Sequence, residues 1–247
     1  MKSLMRALAV CLALMVAPTF SAQAQDKPAA EAKAEAPAAA PAATAGDAAK
    51  GAGKAAMCIG CHGLVGYQAT FPEVYKVPMI SGQGAKYIVS ALTAYQKGDR
   101  KHPTMRGIAA SLTEADMADL GAFYEQQGKT AGSAAPDTLA KPVPDALKDR
   151  MAACVACHGA NFSKPMDPAY PKLAGQHADY IAAALRAYQT DGNANVGRAN
   201  ATMRGQVVQE AEGKKKLTFN NAELKQVAAY LSSLPSDLRV VPQSRFR

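Results

Sequence analysis

Apolar side chains recur with helical period through most of the chain. Tyr87, Ile88, Ala91, Leu92 and Tyr95 fall at i, i+1, i+4, i+5 and i+8, which places them on one face of a helix, and Gly98 is its predicted stop. Tyr180 to Tyr188 repeats that pattern with Gly192 as the stop. Thr113-Glu114-Ala115-Asp116 reads as the capped start of a helix carrying Leu120, Phe123 and Tyr124, and a partner opens near Asn220 or Asn221 and carries Leu224, Val227 and Tyr230. Two further helices open at Asp47 and at about Asp145. No stretch alternates with the period of a strand, so the predicted fold is all-α.

The helices come in two sets. Pro78-Met79-Ile80-Ser81-Gly82-Gln83 recurs as Pro171-Lys172-Leu173-Ala174-Gly175-Gln176, and Ala91-Leu92 with Ala94-Tyr95 recurs as Ala184-Leu185 with Ala187-Tyr188, all 93 residues apart. This is one unit duplicated in tandem. Each copy has roughly 90 residues, a size that gains from an apolar group filling its centre.

Each copy also holds the pentapeptide Cys-x-x-Cys-His: Cys58-Ile59-Gly60-Cys61-His62 and Cys154-Val155-Ala156-Cys157-His158. Two thiols one helical turn apart can each add across a haem vinyl group, and the following imidazole then faces the iron. A zinc site would want four thiolate or imidazole ligands, and each motif supplies three. A redox dithiol needs no histidine after it, and the surrounding sequence lacks the strands of a thioredoxin-like fold. The motifs therefore predict two covalently bound haem c groups, with His62 and His158 as one axial iron ligand each.

The duplication points to the other axial ligand, because Thr104-Met105-Arg106-Gly107 aligns with Thr202-Met203-Arg204-Gly205. A thioether favours ferrous iron and fills the remaining coordination position. Met105 and Met203 are therefore the predicted ligands, and an iron so filled carries electrons without binding substrate. Met57, Met117, Met151 and Met166 are assigned to packing, and Met79 fails the repeat test because its counterpart is Lys172. His102 has no counterpart and His177 matches Gly84, so both are assigned exposed or hydrogen-bonding roles.

The ends and the charge bound the setting. Lys2 and Arg6 precede an apolar run from Ala7 to Ala17, and Ala22-Gln23-Ala24 forms a small-x-small site, so residues 1–24 read as a signal peptide and the protein as periplasmic. Removing Cys11 with that leader leaves four cysteines, all within the two motifs, and no structural disulfide is expected. Residues 25–46 are an Ala/Pro-rich tether. The formal charge is +8, or +6 without Lys2 and Arg6, and residues 141–247 hold 15 basic against 9 acidic side chains. Such a surface can steer an acidic redox partner or lie peripherally against anionic lipid; nucleic acid is not an expected partner in that compartment.

With these motifs the chain resembles the diheme cytochromes c of the cytochrome c4 type, each half similar to a small class I cytochrome c. The resemblance spans Asp47 to about Leu234. It implies two small domains, 47–128 and 145–247, each wrapped around one haem and joined by a connector at 129–144. It further implies that the carbonyls of Pro78 and Pro171 accept hydrogen bonds from His62 and His158, that the two haems lie close together, and that the protein carries electrons toward a terminal oxidase. Two departures stand out. Gly51 and Gly53 could let the first helix cross closely over the Phe123/Tyr124 helix, but the positions 96 residues later are Leu147 and Asp149. About nine residues, including Glu210 and Lys214 to Lys216, are inserted after Met203 as a solvated loop or as a partner-docking or haem-shielding element.

An electron carrier without catalytic residues is thus the leading expectation. A cytochrome subunit of a periplasmic dehydrogenase complex is the alternative. A diheme peroxidase-type enzyme would need an open iron position, against which the paired methionines argue.

Overall fold

A computed structural model describes residues 45–130, 135–211 and 213–242. The predicted signal peptide, most of the predicted tether and residues 131–134 of the predicted connector lie outside the described residues.

In the first half, α1 (Ala48–Lys54) starts at Asp47, whose carboxylate accepts from the backbone N–H groups of Ala49 and Lys50. A break at Ala55 separates it from α2 (Ala56–His62), which carries the first Cys-x-x-Cys-His. Then follow α3 (Ala85–Lys97), α4 (Pro103–Ala110) and α5 (Glu114–Thr130). Gly98 ends α3 in the left-handed conformation, φ 84°. At the head of α5, Thr113 Oγ1 accepts from Asp116 N at 3.1 Å while Asp116 Oδ2 accepts from Thr113 N at 3.0 Å, a reciprocal cap.

The second half opens with a 3-10 turn at Asp145–Leu147 leading into α6 (Lys148–His158), which carries the second motif. It continues with α7 (Ala178–Gln189), α8 (Ala201–Val207) and α9 (Asn221–Ser232). Asn220 and Glu223 form a capping box at the head of α9. The predicted stop of α7 at Gly192 is not its cap: the helix ends at Thr190, which turns extended three residues after Ala187, whose carbonyl its N–H bonds.

Each half has its own apolar core. Ile59, Ile88, Leu92, Met117, Leu120 and Tyr124 gather in the first, and Met151, Phe162, Ile181, Leu224, Val227 and Leu231 in the second. In the first half α1 and α3 both pack along α5. An added Cβ on Gly51 would lie 2.1 Å from Asp119 O and 2.7 Å from Phe123 Cβ, so that crossing needs glycine, whereas one on Gly53 meets nothing within 4 Å. In the second half α7 packs along α9, and α6 is tied to α9 by an Arg150–Glu223 ion pair at 2.7 Å. The close crossing of α1 over α5 is not repeated between α6 and α9, a crossing that Leu147 and Asp149 had put in doubt.

The helical reading missed three short strand pairs among the described residues. They are β1 (Gln68–Ala69) with β2 (Tyr75–Lys76), β3 (Arg100–Lys101) with β4 (Gly197–Arg198), and β5 (Val208–Ala211) with β6 (Lys214–Leu217), all antiparallel. The strands of the first two pairs have two residues each and those of the third have four, too few to show a clear alternating pattern. The β3–β4 pair joins the two halves, matching Arg100 to Arg198. The residues inserted after Met203 form the β5–β6 hairpin, with residue 212 outside the described residues. Lys215 Nζ reaches Asp191 Oδ2 at 2.6 Å, and Arg204 bridges Asp191 at 2.7 Å and Glu210 at 3.2 Å. That segment is therefore pinned to the end of α7.

Candidate haem sites

Helical geometry sets the thiols. Cys58 and Cys61 stand three residues apart on α2, as do Cys154 and Cys157 on α6, so both thiols of each motif share a face. Burial pushes the Cys58 and Cys154 thiols up. The histidine closes each helix.

Each imidazole is then oriented by a proline carbonyl. His62 Nδ1 lies 2.8 Å from Pro78 O, and His158 Nδ1 lies 2.9 Å from Pro171 O. A carbonyl only accepts, so Nδ1 carries the proton and Nε2 keeps its lone pair. Burial holds both imidazoles below the ordinary histidine range, offset in part by these bonds. His158 is 4% exposed, and its Nε2 is buried without a hydrogen-bond partner. A buried lone pair with no donor facing it is the arrangement of an imidazole awaiting an electron-pair acceptor.

The methionines arrive by a different local device, used twice. Met105 is the third residue of α4, and its N–H is capped by His102 Nδ1 at 3.3 Å. Met203 is the third residue of α8, capped by Asn200 Oδ1 at 2.9 Å. Asn200 thus answers to His102 in the second half, and the histidine has a hydrogen-bonding role. His177 is half-buried at the head of α7 and makes no side-chain cap; its N–H donates to Gln176 Oε1 at 3.0 Å.

The thiols, the two motif imidazoles and the two methionines meet in one cavity of about 710 Å³. Cys58, Cys61, His62 and Met105 line it from one half, Cys154, Cys157, His158 and Met203 from the other, and Pro78 and Pro171 lie on its wall. The four side chains drawn from each half's sequence are thus brought to a single continuous space.

The walls add a charge pattern that the motifs do not announce. Arg100 donates from Nη2 to Tyr87 Oη at 2.8 Å and lies over the rings of Tyr87 and Tyr95 at 5.5 and 5.4 Å. Arg198 repeats this with Tyr180 at 3.1 Å and with the rings of Tyr180 and Tyr188 at 5.6 and 5.4 Å. Among the described residues no carboxylate pairs with either guanidinium. Burial pushes the Tyr87 phenol up to about 12 against the pull of Arg100. At Tyr180 and Tyr188 burial also opposes ionisation, but Arg198 and Arg100 together draw both below the usual range. A signal was present in the sequence, since Arg100 and Arg198 each stand five residues before the aligned methionine.

The chain is similar to known proteins. The family model described as cytochrome c matches residues 148–235. Cytochrome c4 of Azotobacter vinelandii is 34% identical over 162 residues, covering 60% of this chain and 74% of that one. The chain belongs to the cytochrome c4 family. The crystal structure of reduced cytochrome c4 from Pseudomonas stutzeri matches 77% of the chain and all of that structure, with a TM-score of 0.52 and 27% identity. The chain is also 30% identical over 143 residues to a thiosulfate dehydrogenase electron acceptor of Thiomonas intermedia, covering 55% of this chain and 64% of that one. As a cytochrome c4 family member, the protein is an electron-transfer protein and not an enzyme, and its prosthetic group is covalently bound haem c.

Proposed function

We propose that the protein binds two haem c groups, one on Cys58 and Cys61 with His62 and Met105 as axial ligands, the other on Cys154 and Cys157 with His158 and Met203. The observation that carries this is the single cavity lined by all eight side chains. The unpartnered Nε2 of His158 and the two arginines without carboxylates fit such a group, since a haem brings both a metal and two propionates. When bound, each haem supplies a one-electron couple. The chain's own residues do the rest. Pro78 and Pro171 fix the tautomer and plane of the imidazoles. The His102 and Asn200 caps hold the two methionines. The apolar walls keep water from the ligands, which favours the less charged ferrous state.

In this reading two class I domains, residues 47–128 and 145–247, flank a connector at 129–144. The chain is exported to the periplasm by residues 1–24, and residues 25–46 act as a tether. The protein passes single electrons from a respiratory donor to an acceptor such as a terminal oxidase, with its basic surface available to an acidic partner or anionic lipid. Among the described residues no helix is long and apolar enough to cross a membrane. The similarity to a thiosulfate dehydrogenase electron acceptor favours a second reading, in which the direct donor is a periplasmic dehydrogenase.

An optical redox titration of the holo-protein, repeated under carbon monoxide, tests the site assignment. Two low-spin haems that ignore carbon monoxide, with Met105→Ala and Met203→Ala each opening one of them, are the expected result. A native haem that takes up carbon monoxide overturns the methionine ligation at that iron.

A further inference from the structure

Gln83 and Gln176 occupy equivalent places in the repeat, both 4% exposed, and each reaches out of its own half. Gln176 Oε1 accepts from Met79 N at 3.0 Å, and its Nε2 donates to Met79 O at 2.8 Å. Gln83 does the same to Lys172: Oε1 accepts from Lys172 N at 2.8 Å and Nε2 donates to Lys172 O at 3.1 Å. The peptide N–H of Met79 and the carbonyl of Pro78 belong to one amide, and so do those of Lys172 and Pro171. Each glutamine therefore grips the amide whose other end orients the opposite half's histidine. The chain of bonds runs His62 Nδ1–H to Pro78 C=O, through the amide to Met79 N–H, and on to Gln176, with its mirror from His158 to Gln83.

We propose that Gln176 tunes the haem held by His62 and that Gln83 tunes the haem held by His158, so that each half sets the other's reduction potential. The proposal rests on the two-haem reading above. Hydrogen bonds in series polarise one another, so an acceptor on the amide N–H makes its carbonyl a stronger acceptor. A stronger bond at Nδ1 makes the imidazole a better donor at Nε2, which favours ferric iron. Both glutamines are positioning residues: neither bonds the Cys-x-x-Cys-His histidine of its own half, and each acts across the boundary through one peptide unit. The arrangement also ties the two halves together where their packing most directly touches the irons' ligands.

The test is a potentiometric titration of full-length holo-protein, with haem resonances assigned to each half by nuclear magnetic resonance, for wild type, Gln176→Leu and Gln83→Leu. Gln176→Leu is expected to shift the equilibrium of the His62 haem toward the reduced state by about threefold, roughly 30 mV for one electron. It should move that haem's imidazole resonances and leave those of the His158 haem in place. Gln83→Leu should do the reverse. If either leucine variant fails to assemble with both haems, Gln176→Asn and Gln83→Asn shorten the reach while keeping a polar side chain, and the same crossed pattern is expected. Shifts confined to the substituted half, equal shifts in both halves, or none overturn the proposal. A wild-type protein with fewer than two covalent haems would instead overturn the reading on which it rests, and a haem count on the same sample separates the two failures.

Discussion

Arg100 and Arg198 stand opposite each other in the β3–β4 pair, each clasped by two tyrosines of its own half and neither facing a carboxylate among the described residues. Two like charges brought together inside a protein are costly unless anions join them. In the proposed holo-protein the haem propionates would supply such anions, and the guanidiniums would also oppose oxidation of the irons. A unit charge roughly 8–15 Å from a redox centre contributes about 1–2 kcal/mol at an effective dielectric of about 20, roughly 50–90 mV for one electron. Arg100→Leu and Arg198→Leu are expected to lower the measured potentials by that order, and Arg100→Lys, which keeps the charge, by much less. Spectroelectrochemical titration checks both.

Why the motifs were legible and this pair was not is a matter of range. Tyr87 to Tyr95 announces α3 because one helix face faces a core, and Gly98 announces its end because only glycine takes the left-handed cap readily. The aligned Cys-x-x-Cys-His and Met-Arg-Gly segments point to the cavity because covalent and coordinate chemistry admits few residue types. Arginine is seldom buried, so the repeated spacing of Arg100 and Arg198 to their methionines carries little weight until tertiary structure shows what surrounds them. Gln83 and Gln176 lie inside the repeated segment, yet their crossing is a contact 97 and 89 residues apart. No local pattern encodes it. Gly192 misled for the opposite reason: a glycine in a turn marks the loop, while the last helical hydrogen bond had already closed at Thr190.

Gly51 and Gly53 make a matched pair for stability. An alanine methyl at Gly51 collides with the backbone of α5 at 2.1 Å, and relieving it must shift α1. Gly51→Ala is expected to cost about 1–3 kcal/mol. Gly53 faces open space, so Gly53→Ala is expected to be neutral or to stabilise by up to about 1 kcal/mol. Denaturant unfolding of the holo-protein distinguishes the two.

The same helix pair sets an acid limit. Lys54 Nζ lies 2.6 Å from Asp116 Oδ1 and 2.7 Å from Asp119 Oδ2, and Asp119 also accepts from Asp47 N at 2.7 Å. Hydrogen bonding to Lys54 holds both carboxyls below their ordinary value, and the same bonds raise Lys54. A depressed carboxyl stabilises the fold above its unfolded pKa of about 4 and stops doing so as pH falls through the folded value; a raised lysine stabilises below about 10.4 and stops as pH rises through its folded value. The contribution is therefore full between about pH 5 and 10. Lys54→Met should lower the Tm by a constant amount across that window, and the gap to wild type should close as pH falls from 4 toward 2. A gap independent of pH would mean that Lys54 acts through packing alone.

Asn200 and His102 link a helix cap to ligand retention. Each accepts from the backbone N–H of the methionine three residues on, so losing the cap frays the turn that carries that side chain. Removing an N-cap costs about 0.5–2 kcal/mol, which corresponds to a factor of roughly 2–30 in any equilibrium where the methionine must leave its place. Asn200→Ala is expected to raise the affinity of the oxidised protein for added imidazole by that factor at the second haem only, and His102→Ala to do so at the first. Imidazole titration of the two variants, followed optically with the haems assigned by half, reads this directly. Equal affinities in wild type and both variants would place the hold on the methionines in the cavity walls, which Tyr95 and Val207 help to line, and not in the caps.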